Sequence, residues 1–380
     1  MVMILFFSRR NSLKYWVDTG IFDREKLVYE KHLNNGTLNK VCWITYGCLD
    51  EKIAKLLKES GKLHNNIFVV PMPQIFNHRF GNILYSIICP FIQSAICKDA
   101  DIFKTNQMDG SYSAVIARFI YKKPLIVRTG YTASIFARNQ NSSSIRIKLY
   151  QWMERFAYKY ADAAVTASLT DKDYICHKYK ISPQDVYVFN NYIDTTIFRP
   201  KTRDKYVDRI IFVGRLNIQK NVDSLIKAVL KTQLSLDIYG GGELRGELEE
   251  MSKTLGAKVR FMGIVPNSEL PEILNKYRYF ILPSLYEGMP KTLLEAMACG
   301  LVCIGTDVSG INEVIEDKVN GYLAKSTSAD DIYDAIMRAQ GGEDMNIIKN
   351  GLDKINVNFS LEGFLEKEGN LIRSLQKVHE

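Results

Sequence analysis

Short apolar runs alternate with stretches of helical spacing along the whole chain. The alternation is most regular in the second half, where RIIFVGRL, LSLDIYGGG, KVRFMG, YFILPS and LVCIGTD are separated by NVDSLIKAVLKT, ELRGELEEMSKTLG, SELPEILNKY and the segment 290–297. Runs that are apolar at consecutive positions belong to strands covered on both faces, and helices between such strands are what a parallel sheet requires. The first half repeats the pattern less cleanly: MILFF, VCWITYG, NIFVVPM, ADIFKTN, PLIVRTG and AAVTAS read as strands, with helices over 24–34 and 146–160 among the connections. A polar stretch containing Pro200, YIDTTIFRPKTRDKYVDR at 192–209, separates the halves. The prediction is an α/β protein of two Rossmann-like, doubly wound domains, 1–200 and 201–360, with a final helix over 361–380 crossing back to the first. Two such domains facing each other make a cleft at the carboxyl ends of both sheets, where sheets of this kind bind ligands.

The most apolar run, ILYSIICPFIQSAIC at 83–97, is broken by Pro90 and Gln93 and is shorter than the ~20 residues of a membrane span, so it reads as a buried, helix-rich stretch. At the N-terminus the apolar residues precede Arg9 and Arg10, the reverse of a signal peptide. With seven cysteines and no Cys-x-x-Cys pair, the chain suits a reducing cytoplasm better than a disulfide framework, and Cys299 and Cys303 read as small hydrophobes.

Charge changes the picture of the first half. Residues 1–200 hold 27 Lys+Arg against 16 Asp+Glu, a balance of +11, while residues 201–380 come to −3. The first half is therefore expected to meet something anionic. No basic run with interleaved aromatics marks a nucleic-acid module, which leaves an anionic membrane surface or an anionic lipid-linked substrate. The segment SIRIKLYQWMERFAYKY carries Arg146, Lys148, Arg155 and Lys159 beside Ile145, Leu149, Trp152 and Phe156, a basic amphipathic helix of the kind that rests on anionic lipid. A core-packed helix with a solvated face is the alternative.

The candidate chemistry lies in SLYEGMPKTLLEAMACG, where Glu287 and Glu295 stand eight positions apart across a Gly-Met-Pro turn. Pro290 suits the first turn of a helix, which Gly300 ends. Glu287 then sits in the loop after a strand, the amides near Lys291 and Thr292 form a helix N-terminus that attracts phosphate, and Glu295 lies more than a turn inside. The spacing makes sense for a nucleotide-sugar laid across the helix start, with the sugar on Glu287, the diphosphate at the amides and the ribose on Glu295. The three glycines at 240–242 allow close backbone approach to the nucleotide.

Taken together, NNYIDTTIFRP, FVGRLNIQKNVDSLIKA, YGGGEL, FMGIV, PSLYEGMPKTLLEAMACGLVCIGTD and SGINEVIEDKVNGYL resemble the family 4 (group 1) retaining glycosyltransferases of the GT-B fold over 191–321. The resemblance implies that Glu287 contacts the transferred sugar and Glu295 the ribose, and that Arg215 and Lys220 clamp the diphosphate. It implies donor contacts from Gly214, Gly241, Gly288, Met289, Lys291 and Thr292, and a backbone contact to the base from Val265. No metal or other cofactor is then needed, because two fixed cations offset the charge on the departing diphosphate. The motif Asp99-Ala100-Asp101, similar to the metal-binding Asp-x-Asp of the other glycosyltransferase fold, opens a strand and reads as structural.

On the acceptor side the chain departs from the family. Where many members carry a histidine after the strand PLIVRTG, Arg128, Thr129, Gly130 and Tyr131 stand here, so Arg128 and Gly130 become candidates to line the acceptor pocket. None of the five histidines, at 32, 64, 78, 177 and 379, occupies that place. Gly20 is the candidate for the family's glycine-containing loop between the first strand and first helix, and Asn191 for a group facing the cleft.

The expected function is transfer of a sugar, with retention and without metal, from a UDP- or GDP-linked donor to a hydroxyl of a glycan or lipid-linked saccharide in surface polysaccharide synthesis such as lipopolysaccharide or capsule. The expected setting is the cytoplasm, at the inner face of the cell membrane, with peripheral contact to anionic lipid. Competing readings are a hydrolase or epimerase of nucleotide-sugars on the same fold, and a scaffolding protein that keeps the donor site without catalysis. An oxidoreductase built on YGGGELRG is a weaker fourth, since its third glycine is displaced to Gly246.

Overall fold

The computed structural model describes residues 1–140, 142–201, 204–342 and 344–379. They divide into two compact units, the first of Met1–Phe189 with Leu365–Glu380 and the second of Asn190–Phe364. The first holds strands β1 (Val2–Phe6), β2 (Lys40–Ile44), β3 (Ile67–Val70), β4 (Ile102–Thr105), β5 (Leu125–Arg128), β6 (Ala163–Thr166) and β7 (Val186–Val188). They form one parallel sheet in the order β3-β2-β1-β4-β5-β6-β7. In the second unit β8 (Tyr206–Val213), β9 (Ser235–Tyr239), β10 (Val259–Gly263), β11 (Tyr277–Leu282), β12 (Val302–Thr306) and β13 (Tyr322–Ala324) pair in the order β10-β9-β8-β11-β12-β13, again all parallel. This is the GT-B pattern of two Rossmann-like units.

Each sheet reverses its strand order once, between β1 and β4 in the first unit and between β8 and β11 in the second. Connections from the two central strands leave to opposite sides there, which opens a crevice at the carboxyl ends where ligands settle. The central strands are apolar along most of their length, and β1, β4, β11 and β12 are buried at nearly every position because helices cover both faces. The edge strands β7 and β13, of three residues each, are too short to carry an apolar signature in the sequence.

Two expectations change. The segment 190–200 packs with the second unit rather than closing the first, because Ile193 donates its amide to Phe359 and accepts from that of Leu361. The apolar run at 83–97 is helical, over Arg79–Ile92 and Ser94–Lys98, but it is only half covered. Gly81, Tyr85 and Cys89 face inward, while Phe80, Ile83, Leu84, Ile87 and Phe91 are exposed. No helix among the described residues is long and apolar enough to cross a membrane.

The helix Leu361–His379 is tied to the first unit by charge. Glu368 is buried, with Lys104 Nζ of β4 at 2.8 Å from Oε1 and His32 Nε2 at 3.1 Å from Oε2. Burial lifts the Glu368 carboxyl, but Lys104 and His32 outweigh it and bring the group down to about 2. The free cysteines Cys299 and Cys303 are buried, and burial pushes the Cys299 thiol up to about 12.

Candidate active site

The site of the second unit is built from the loops that leave β8 and β11, the two strands flanking its switch point. Gly214 and Arg215 follow β8, with Arg215 exposed at the rim. Their backbone is held along the β9 connection by hydrogen bonds from Gly214 N to Tyr239 O (3.0 Å) and from Leu216 N to Gly241 O (2.9 Å). The glycines of YGGGEL serve this approach. A Cβ on Gly240, whose φ is +141°, would lie 1.9 Å from Gly214 O, and one on Gly242 would lie 2.2 Å from Leu216 O. Gly240 and Gly242 thus make room for the protein's own loop rather than for a nucleotide, and Gly241 faces the Ile264 side chain at 3.0 Å.

After a 3-10 turn over Ile218–Lys220 the chain is stitched to the β11 loop. Gln219 O accepts from Leu285 N at 2.8 Å, the Gln219 side-chain amide donates to Tyr286 O at 2.9 Å, and Asn221 Nδ2 donates to Pro283 O at 3.0 Å. These bonds bring Lys220 Nζ against Glu287 Oε1 in an ion pair whose side chains are 15% and 7% exposed. Ser284 Oγ donates to the same carboxylate oxygen at 2.6 Å, and Gln219 Nε2 approaches the other at 3.4 Å. Glu287 is therefore pinned from three sides, at the carboxyl end of β11 and beside the end of β8. A fixed carboxylate next to a fixed ammonium suits a substrate that carries hydroxyls at one end and phosphate at the other.

The helix Lys291–Ala298 starts directly behind this loop, with Pro290 at its N-cap. Lys291 and Thr292 are half-buried in its first turn, and Lys291 Nζ lies 5.3 Å from the centre of the Tyr192 ring. Glu295 is buried, and Oε1 accepts a hydrogen bond of 3.0 Å from Asn267 Nδ2. Val265, two residues before Asn267, is half-buried in the loop after β10. Met289 is buried, and its carbonyl accepts from Asn191 Nδ2 at 2.7 Å. Beneath Gly288, Gly310 has a φ of +83° and a Cβ there would sit 2.0 Å from Gly288 O. The SGINEV segment supports the Glu287 loop from below.

The acceptor-side candidates fare differently. Asn191 belongs to the second unit and braces the Glu287 loop through Met289. Gly20, with φ +70°, turns the chain between the helices Leu13–Asp18 and Phe22–Asn34, so it is not in the loop that leaves β1. That loop is Phe7–Ser12, and what it offers is Arg9 and Arg10. Arg9 Nη2 lies 3.9 Å from Asp109 Oδ2 in the loop after β4, across the switch point of the first sheet. Burial raises the Asp109 carboxyl above its ordinary value, with Arg9, Arg10 and Arg146 pulling it back. Arg128 ends β5 and Gly130 lies two residues beyond, with no atom within 4 Å of the place its Cβ would take. The loop after them is fixed by two buried carboxylates: Thr132 N donates to Asp171 at 3.2 Å and Ser134 N to Glu154 at 2.8 Å.

Of the histidines, His32 is in the Glu368 cluster, while His64 Nδ1 accepts from Asn66 N and His78 Nδ1 from Gly81 N. Asp101 of the Asp-x-Asp stretch accepts from Val2 N at 2.7 Å and so belongs to the start of the central β1/β4 pair.

Residues 194–351, which contain Arg215, Lys220, Glu287 and Glu295, match the family described as Glycosyl transferases group 1. That stretch is similar to the group 1 glycosyl transferases. Over 287 residues the chain is 27% identical to the UDP-Gal:alpha-D-GlcNAc-diphosphoundecaprenol alpha-1,3-galactosyltransferase of Escherichia coli, covering 70% of this chain and 73% of that one. Over 278 residues it is 26% identical to the GalNAc-alpha-(1->4)-GalNAc-alpha-(1->3)-diNAcBac-PP-undecaprenol alpha-1,4-N-acetyl-D-galactosaminyltransferase of Campylobacter jejuni, covering 69% and 72%. Its fold is shared with Anabaena Alr3699/HepE, solved in complex with UDP and glucose, at a TM-score of 0.74 and 16% identity over 98% of this chain and 100% of that one.

Proposed function

We propose that the protein is a retaining, metal-independent glycosyltransferase of family 4 that moves a sugar from a UDP- or GDP-linked donor to a hydroxyl of a lipid-linked saccharide, at the cytoplasmic face of the membrane, in surface polysaccharide assembly. The observation that carries it is the Lys220–Glu287 pair at the β8/β11 switch point, with exposed Arg215 at the end of β8 and buried Glu295 in the helix behind. The E. coli and C. jejuni relatives, whose names specify undecaprenol-diphosphate-linked acceptors and alpha linkages, support the acceptor class.

In this reading Glu295 holds the ribose and Glu287 holds the sugar hydroxyls. Arg215 and Lys220 neutralise the charge that grows on the diphosphate as the bond from the anomeric carbon to phosphate oxygen breaks. The acceptor oxygen bonds to the same face of that carbon, and its proton passes to the leaving phosphate oxygen. Lys220, held by Glu287, and Arg215 at the rim supply the positive charge that a bound metal would otherwise contribute. The acceptor's diphosphate meets Arg9 and Arg10 at the β1/β4 switch point.

The test is a transfer assay in EDTA with UDP- and GDP-linked sugars and a polyprenyl-diphosphate-linked saccharide, with the anomeric configuration of the product read by NMR. An alpha product from an alpha-linked donor is expected. An inverted product, or free sugar formed at the same rate without acceptor, would overturn the proposal.

A further inference from the structure

Three consecutive residues near the start of the second unit each hold a different part of it. Asn191 Nδ2 donates to Met289 O at 2.7 Å, in the turn that follows Glu287. Ile193 N donates to Phe359 O at 2.8 Å, and Leu361 N donates to Ile193 O at 3.0 Å. Between them Tyr192 is buried, with its ring centre 4.5 Å from that of Phe364 and 5.3 Å from Lys291 Nζ. Bonded on one side to the Glu287 loop and on the other to the chain at 359–361, the Tyr192 backbone has little room to shift, and Phe364 fixes the ring from the side.

Lys291 is an unfavourable residue for its place. It opens the helix Lys291–Ala298, whose N-cap Pro290 offers no side-chain hydrogen bond and whose first turn contains no acid. The first amides of a helix carry the positive end of its dipole, which favours an anion and disfavours a cation. The face of a tyrosine ring attracts an ammonium that lies within about 6 Å of its centre, and Tyr192 is placed to offset the cost in this way. Held there, the Lys291 ammonium and the first-turn amides present positive charge from the same end of one helix, a combination that suits a diphosphate. Arg215 and Lys220 come from the loop after β8, whereas Lys291 comes from the helix that follows β11.

We propose that Tyr192 is a positioning residue for the donor: its ring holds the Lys291 ammonium at the N-terminus of the helix Lys291–Ala298, where that ammonium meets the diphosphate. The inference rests on the nucleoside-diphosphate donor proposed above. It adds a third cation to Arg215 and Lys220 and assigns the orientation of that cation to an aromatic face.

The test is calorimetric titration of the full chain with UDP and with GDP, at low and at high salt. It compares wild type, Tyr192→Leu, Tyr192→Phe, Lys291→Met and the Tyr192→Leu, Lys291→Met double variant. Tyr192→Leu and Lys291→Met should each weaken binding of the nucleotide that wild type takes by about fivefold, and the double variant should be no weaker than Lys291→Met alone. Tyr192→Phe, which keeps the ring, should stay within about twofold of wild type. Tyr192→Leu and Lys291→Met should both flatten the salt dependence of binding, a change that lost packing by itself does not produce. Ligand-free melting temperatures show which variants keep the fold. Lys291→Met alters a half-buried side chain, so it reads the ammonium even where Tyr192→Leu lowers the melting temperature. Wild-type affinity in Tyr192→Leu or in Lys291→Met, a multiplicative loss in the double variant, or a Tyr192→Phe as weak as Tyr192→Leu would overturn the role of Tyr192 and leave the donor reading standing. Wild type that binds neither nucleotide would overturn the donor reading and this inference with it.

Discussion

The ammonium of Lys220 is paired with the carboxylate of Glu287, 67 residues further along the chain, at the carboxyl ends of the two strands where the second sheet reverses its order. Each side chain fixes the other, so their contributions to catalysis are coupled. Lys220→Ala and Glu287→Gln should each lower kcat by about 10²–10³, as the loss of one preorganised electrostatic group does. The double variant should lose much less than the product of the two effects. Steady-state kinetics of the four proteins decides it, and multiplicative losses would mean that the pair is not a functional unit.

Asn267 Nδ2 donates to the buried Glu295 at 3.0 Å, so in the proposed function Asn267 acts through Glu295. Asn267→Ala should raise the donor KM by about tenfold, the worth of one hydrogen bond to a charged group. The kcat should stay within about twofold, because no reacting atom is near. A matching fall in kcat would place Asn267 in the transition state instead.

Gly310 cannot accept a side chain without moving the Glu287 loop, since its Cβ would stand 2.0 Å from Gly288 O at a φ of +83°. Gly310→Ala should cost more than about 1 kcal/mol of stability and reduce kcat through the displaced loop. Gly130→Ala, with open space around it, should leave the denaturation midpoint unchanged. Equal midpoints for both variants would contradict the packing described.

The buried cluster of Glu368, Lys104 and His32 makes stability depend on acid. Glu368 titrates at about 2 in the folded chain, below its ordinary value of 4.5, so the unfolded state binds the proton more readily. Its contribution, on the order of 3 kcal/mol, is present above about pH 4.5 and is lost as pH falls toward 2. Urea denaturation across this range should show the loss in wild type and a flatter profile in Glu368→Gln. Lys104→Met, which strands a buried carboxylate, should cost about 3–5 kcal/mol at neutral pH.

The local structure around Glu287 and Glu295 was legible because its parts are adjacent in the chain. Strand, glycine-proline turn and helix follow one another within the 24 residues from Tyr277 to Gly300, and their order alone puts Glu287 in a loop and Glu295 in a helix. Partners that arrive from far along the chain left no such mark. Asn191 meets Met289 from 98 residues away, His32 meets Glu368 from 336, and Gln219 and Ser284 are ordinary polar residues until the sheet joins their loops. Arg9 was visible only as an N-terminal charge, because its place opposite Asp109 depends on the strand order. The exposed face of the helix Arg79–Ile92 was misread as core for the same reason that periodicity fails there: with apolar residues on every side, spacing does not tell which side is covered.

The central claim is a donor site in which Arg215, exposed at the end of β8, holds the diphosphate. Thermal denaturation with UDP, GDP and ADP, with EDTA present, on wild type and Arg215→Ala tests it most directly. A ligand that binds only the folded state raises the melting temperature. A rise with UDP or GDP in wild type, abolished in Arg215→Ala while the ligand-free melting temperatures agree, is the predicted result. No rise with any nucleotide, or an equal rise in the variant, would contradict the account.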